Sequence, residues 1–98
     1  MHFKKATPTE RAAYKAAGGV YPLHGTAQSR DGITCYIEDL REWGRGNPTW
    51  EVAYPKGYIH ALDMTHTSLC YSLAEAKETV RYAPLMKCDC IECMEHNS

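Results

Sequence analysis

Long hydrophobic runs are missing from these 98 residues. No apolar stretch approaches the roughly 20 residues needed to cross a bilayer as a helix, and the opening MHFKKATPTE lacks the apolar core of an export signal. The expected setting is therefore the cytoplasm. A charge bias is missing too: 11 Lys and Arg against 12 Asp and Glu leave a net charge of -1, scattered along the chain with no basic stripe for a phosphate backbone. Enzyme signatures are equally scarce. There is no phosphate-cradling glycine loop, nucleophile elbow or carboxylate pair at a recognisable spacing, and WGRGNP leads into a strand rather than a helix. The chain reads as non-enzymatic. Five cysteines, an odd number with no export signal, speak against a disulfide framework and for reduced thiols or metal ligands.

What is present suits one small globular domain, with 44% apolar and 23% charged residues. Thr7, Pro8 and Glu10 form a capping-box start and Gly18-Gly19 a left-handed stop, which predicts a helix over about 8–17 whose Ala12, Ala13, Ala16 and Ala17 face lies against a sheet. YPLHGTAQSRDG is rich in turn formers and reads as a loop, with a short extended piece near Val20 to Leu23. Alternation in ITCYIEDL and TWEVAYP predicts two strands, the second with Trp50, Val52 and Tyr54 on one face. REWGRGNP protrudes between them. YPKGY is a hairpin turn returning YIHALDM beside the second strand, and THTSLCY extends that strand or adds a fourth. Ser72 and Glu75 open a final helix with a Leu73, Ala76, Val80 and Ala83 stripe, stopped by Pro84. The expected fold is a two-layer α+β domain over residues 1–84: helix, three- or four-stranded antiparallel meander, helix, with both helices on one face. A cysteine-rich tail, 85–98, follows.

That tail, KCDCIECMEH, places Cys88, Cys90, Cys93 and His96 within nine residues. Cys90 and Cys93 have the CxxC spacing in which two thiolates grip a tetrahedral zinc. Four ligands so crowded would strain a local site. A zinc model therefore uses the three cysteines with His96 or with a distant ligand such as His66, Cys70 or Cys35, and the alternatives are a reduced tail or a redox role. Acidic Asp89, Glu92 and Glu95 favour a dication and raise the thiol pKa values. Among the other histidines, His60 and His66 lie on or near the third strand and could converge with His24 in space, the alternative being half-exposed sheet residues, and Cys70 with His66 is an example of a pair that could serve thiol catalysis. Cys35 and Cys70 otherwise read as small buried hydrophobes.

Ten residues are aromatic, seven of them tyrosines. With both helices on one face, the other face of the sheet stays open, and Tyr36, Tyr54 and Tyr58, with Trp43 and Arg45 in the protruding loop, become the candidate surface for a protein partner. The alternative for Tyr54 is the core, together with Trp50. Aromatic sheets also stack single-stranded bases, so nucleic-acid binding is the second functional reading. Self-association through an exposed strand edge is a third possibility for the surface.

The helix-meander-helix order resembles the double-stranded RNA-binding domain in topology, and WEVAYPKGY with SLAEAKE is similar in rhythm to the three-strand-plus-helix DNA-binding domains of plant transcription factors and phage integrases. Those families carry Arg and Lys where this chain has Glu38, Asp39, Glu51 and Asp63. Separately, the size, the TPTERAAYKAAGG start and the hairpin followed by SLAEAK resemble small accessory proteins of bacteriophages, especially those of actinobacteria. That resemblance implies a protein working in the cytoplasm of an infected bacterium by binding or inhibiting a host protein.

Overall fold

The computed structural model describes residues 3–43 and 48–88. It is an α+β chain with a five-stranded antiparallel sheet and two helices. Strand β1 (Lys4–Lys5) precedes helix α1 (Pro8–Ala16), and strands β2 (Leu23–Gln28), β3 (Thr34–Asp39), β4 (Trp50–Ala53), β5 (Tyr58–His60) and β6 (Thr67–Cys70) lead to helix α2 (Leu73–Tyr82) and strand β7 (Leu85–Lys87). The main sheet runs β1-β2-β3-β4-β6, and β5 pairs with β7 in a separate two-stranded sheet.

Three expectations about the strands are corrected. The turn-rich YPLHGTAQSRDG holds β2, which lies between β1 and β3. Its inward residues, Leu23, Gly25 and Ala27, are buried, and two of them are too small to make an apolar run stand out. Gly25 is required there: a Cβ would stand 2.5 Å from the Lys4 carbonyl oxygen and 2.6 Å from the Phe3 ring. The segment after the YPKGY turn does not return beside β4. Tyr58 N donates to Pro55 O at 3.1 Å and Gly57 adopts φ +91°, so the turn forms, but β5 leaves the sheet and pairs with β7. The place beside β4 is taken by β6, with Val52 opposite Ser68. Residues 85–87, assigned to the tail, are thus a paired strand.

The core is a single strip. Cys35, Ile37 and Val52 are fully buried, Trp50, Tyr54 and Cys70 nearly so, and they form one cluster with Ala76 and Val80 of α2 and with Ala83 just after it. Ile37 pairs with Val52 and Trp50 with Cys70, so alternation puts these side chains on one face, where small Ala76 admits close approach of the helix. Burying a valine-sized side chain contributes about 1.5–3 kcal/mol, and Val80 and Val52 are both fully buried. Helix α2 starts as expected, with Glu75 N donating to Ser72 Oγ at 3.0 Å. The Glu75 carboxylate reaches one residue further back, accepting from Tyr71 N at 3.1 Å.

Helix α1 keeps its capping box and ends in a Schellman arrangement, with Gly19 N donating to Tyr14 O and Gly18 N to Lys15 O, and φ +102° at Gly18. Its placement overturns the shared-face expectation. Ala12, Ala13, Ala16 and Ala17 are exposed, and no residue of α1 is buried. The helix reaches the opposite face of the sheet through half-buried Tyr14, whose ring lies 5.2 Å from that of Tyr36 and whose hydroxyl donates to Glu38 Oε2 at 2.6 Å. Glu38 is 5% exposed and sits across from Glu51 on β4. Burial raises the Glu38 carboxyl above the ordinary glutamate range, and Glu51 adds to that rise while the Tyr14 hydroxyl opposes it.

A group whose pKa rises on folding supports the fold fully below its unfolded value and ceases to do so as pH rises through its folded value. Glu38→Gln keeps the acceptor for Tyr14 and removes the charge. Chemical denaturation should find this variant close to the parent near pH 4 and more stable than the parent at pH 8, and equal stability at both pH values would contradict the assignment. Tyr14→Phe strands a buried carboxyl and should cost about 1–2 kcal/mol, with faster hydrogen exchange along α1.

Candidate functional site

Two places gather the chemistry. The first is built where β3 ends. Asp39 accepts from Arg41 Nε at 3.0 Å and Nη2 at 2.7 Å, which holds its carboxyl below the usual aspartate range, and the Arg41 guanidinium lies 4.9 Å from the Trp50 ring centroid. Leu40 is buried, and Trp43 N donates to Leu40 O at 2.9 Å. This tight turn throws Trp43 outward, 53% exposed, with its ring edge-on to Tyr21 at 5.4 Å. Tyr21 arrives because Gly18 and Gly19 end α1 sharply and because Pro22 O accepts from Asp39 N at 2.9 Å, fixing the 19–22 segment beside β3. Between that segment and α1 lies a groove of about 350 Å³ whose wall includes Trp43, Tyr21, Val20, Ala12, Arg11 and Lys15. Val20 is 79% exposed. Among the described residues neither Arg11 nor Lys15 belongs to an ion pair.

Of the described residues expected on a partner surface, Trp43 alone stands out from the fold. Tyr54 belongs to the core, its hydroxyl 2.5 Å from Ser68 Oγ, and burial pushes its pKa up. Tyr36 is half-buried against Tyr14; the two rings, with Tyr54, Pro55 and Lys56, line a second hollow of about 300 Å³. Tyr58 is half-buried on β5, away from the main sheet. Arg45 lies outside the described residues. The open tyrosine face does not form because α1 crosses to that side. Arg11, Lys15, Val20 and Tyr21 were passed over in the sequence; the apolar pair Val20-Tyr21 directly after a helix stop was the available signal.

The second place is the corner where the chain leaves the main sheet. Tyr54 N donates to His66 O at 3.0 Å and Cys88 N to Gly57 O at 2.7 Å, and His66 Nε2 comes within 3.9 Å of Cys88 Sγ. His24 and His60 go elsewhere, so the three histidines do not converge. His24 stacks on Phe3 at 5.7 Å and meets the Trp50 ring edge at 4.8 Å, where burial lowers its pKa. His60 Nδ1 accepts from Leu62 N and Asp63 N, capping the turn that follows β5. Cys70 faces α2, its sulfur 3.5 Å from Thr79 Oγ1, and is not brought to His66. Cys90, Cys93 and His96 lie outside the described residues.

Burial pushes the Cys35 thiol up to about 11 and raises that of Cys70, so both stay protonated at neutral pH. Peptide mapping after brief iodoacetamide treatment of the native protein at pH 8 should find Cys35 and Cys70 unmodified and label both after denaturation. Rapid native labelling of either would contradict their burial. Comparison of the chain with protein-family models, with curated proteins and with solved structures finds no match in any of the three.

Proposed function

We propose that this chain is a small non-enzymatic binding protein, phage-encoded and cytoplasmic, that acts by holding a bacterial host protein in the Trp43 groove. The observation that carries the reading is Trp43 itself, a large aromatic held out of the fold by a tight turn, braced by Tyr21 and set beside exposed Val20. Tryptophan and tyrosine so placed are the residue types that supply most of the energy of protein interfaces. Arg11 and Lys15 at the rim give the groove its charge preference: an acidic segment offering one apolar side chain to the Trp43 wall. The resemblance to small phage accessory proteins supplies the host context. Nucleic acid is the weaker reading on electrostatic grounds, since the net charge is -1 and the basic residues are scattered with no stripe to follow a phosphate backbone.

A photoreactive amino acid placed at Val20 in the full chain, produced in the host bacterium, should form one dominant adduct. Trp43→Ala should reduce it by about tenfold or more, and Lys15→Glu should lower its yield in a salt-dependent way. The same label at Leu62, exposed in the turn after β5 and not part of the groove wall, should give no such adduct. An adduct from Val20 that is indifferent to Trp43→Ala would end the groove reading.

A further inference from the structure

The main sheet ends in an open strand. Its order is β1-β2-β3-β4-β6, so β6 has β4 on one side and, among the described residues, no strand on the other. Thr49 N donates to Cys70 O at 3.1 Å and Tyr54 N to His66 O at 3.0 Å, which sets the parity of the ladder. The backbone groups of Ser68 and Cys70 turn toward β4, and those of Thr67 and Leu69 turn outward. The open stretch has a definite end. Tyr71, next in the outward series, donates its N–H to the Glu75 carboxylate at 3.1 Å, and its carbonyl accepts from Thr49 Oγ1 at 3.3 Å.

Edge strands of soluble proteins are usually blunted by lysine, proline or a bulge. Strand β6, TSLC, has no charged residue and no proline, and its register against β4 runs unbroken from Ala53 opposite Thr67 to Trp50 opposite Cys70. Leu69 is 58% exposed on the Glu51 side of the sheet, and Tyr71 just beyond the strand is 68% exposed.

An edge of this kind takes an extended backbone, and a second copy of the same edge fits it in one register. With the two strands antiparallel and Ser68 facing its counterpart on a two-fold axis, Leu69 lies opposite Thr67 of the second copy. Each such pair exchanges both N–H···O bonds, so every outward group of Thr67 and Leu69 is used and none of Tyr71 is needed. Moving the axis to Leu69 would set Thr67 against Tyr71, whose N–H is already held by Glu75. In the Ser68 register the two Leu69 side chains are diagonal neighbours and cover each other, and the uncharged strands bring no like charges together. No residue of β6 lines the Trp43 groove, so the two surfaces are separate.

We propose that two copies of this chain associate through β6, joining their main sheets into one across a two-fold axis at Ser68. The test follows the full-length, reduced chain by sedimentation equilibrium from micromolar to millimolar concentration, where a reversible monomer–dimer equilibrium is expected. Leu69→Pro removes an outward N–H and leaves the ladder to β4 intact, so it should abolish the dimer with the far-ultraviolet circular dichroism retained. Leu69→Lys keeps every backbone group but sets two ammonium groups diagonally across the axis, and should weaken association by about fivefold or more. Mild oxidation reads the register. Partners in a non-hydrogen-bonded antiparallel pair have Cα atoms about 4.5 Å apart, within disulfide range, so Ser68→Cys should give a dimer linked through the two introduced thiols, as mapped by peptide mass. Thr67→Cys places its thiols on diagonal positions about 7–8 Å apart and should give no such link. A monomer at every concentration, a dimer indifferent to both Leu69→Pro and Leu69→Lys, or linkage at position 67 and not at 68 overturns the proposal.

Discussion

The path of residues 71–88 follows from the seating of α2 on the strip formed by Cys35, Ile37, Val52 and Cys70. Ala76 and Val80 face that strip with no exposed surface, and the small alanine lets the helix lie close enough for Val80 to fill the space between β3 and β4. The direction of α2 then determines where the chain can go after Ala83. Pro84 ends the helix, its carbonyl accepts from Ala61 N at 2.7 Å, and β7 is delivered alongside β5. Cys88 reaches His66 as the last step of that path. A weakly packed α2 would lose the strip and the corner together.

The other side of the sheet is organised differently. Helix α1 contributes no buried residue and meets the sheet through Tyr14, whose ring lies against Tyr36 and whose hydroxyl donates to Glu38, in a setting where burial raises the carboxyl's pKa. That is a modest anchor beside the apolar seat of α2. The same arrangement leaves the alanine face of α1, Val20, Tyr21 and Trp43 uncovered, so the side with the weaker hold is the side with unspent apolar surface. In such an arrangement binding energy from a partner adds to stability that the chain does not obtain from its own core.

Where residue pattern and structure agree, the signal is local. Thr7-Pro8-Glu10 and Ser72-Glu75 mark helix starts within one residue because capping is settled by atoms three positions apart. Ile33-Cys35-Ile37 and Trp50-Val52-Tyr54 mark inward faces because alternation is a property of the strand itself. Where they differ, the deciding partner is remote. β2 hides in turn formers because its inward positions are filled by Gly25 and Ala27 where Phe3 and β1 press close, and nothing near residue 25 announces Phe3. The 58–60 strand is expected beside β4 because a two-strand hairpin is the nearest pairing, yet it pairs with Leu85–Lys87, with Tyr58 opposite Lys87, 29 positions away.

The sequence by itself determined the α+β class, both helices and their ends, the inward residues of β3 and β4, and the buried character of Cys35 and Cys70, since each follows from periodicity or from chemistry within a few residues. Tertiary structure decided which face each helix covers, and with that it took Tyr36 and Tyr54 out of the candidate surface and left Trp43 to the α1 groove. It also decided which of the described histidines, His24, His60 or His66, comes near Cys88. The imidazole at 3.9 Å belongs to a residue 22 positions away, brought there by a ladder between β5 and β7 that only the docking of α2 makes possible.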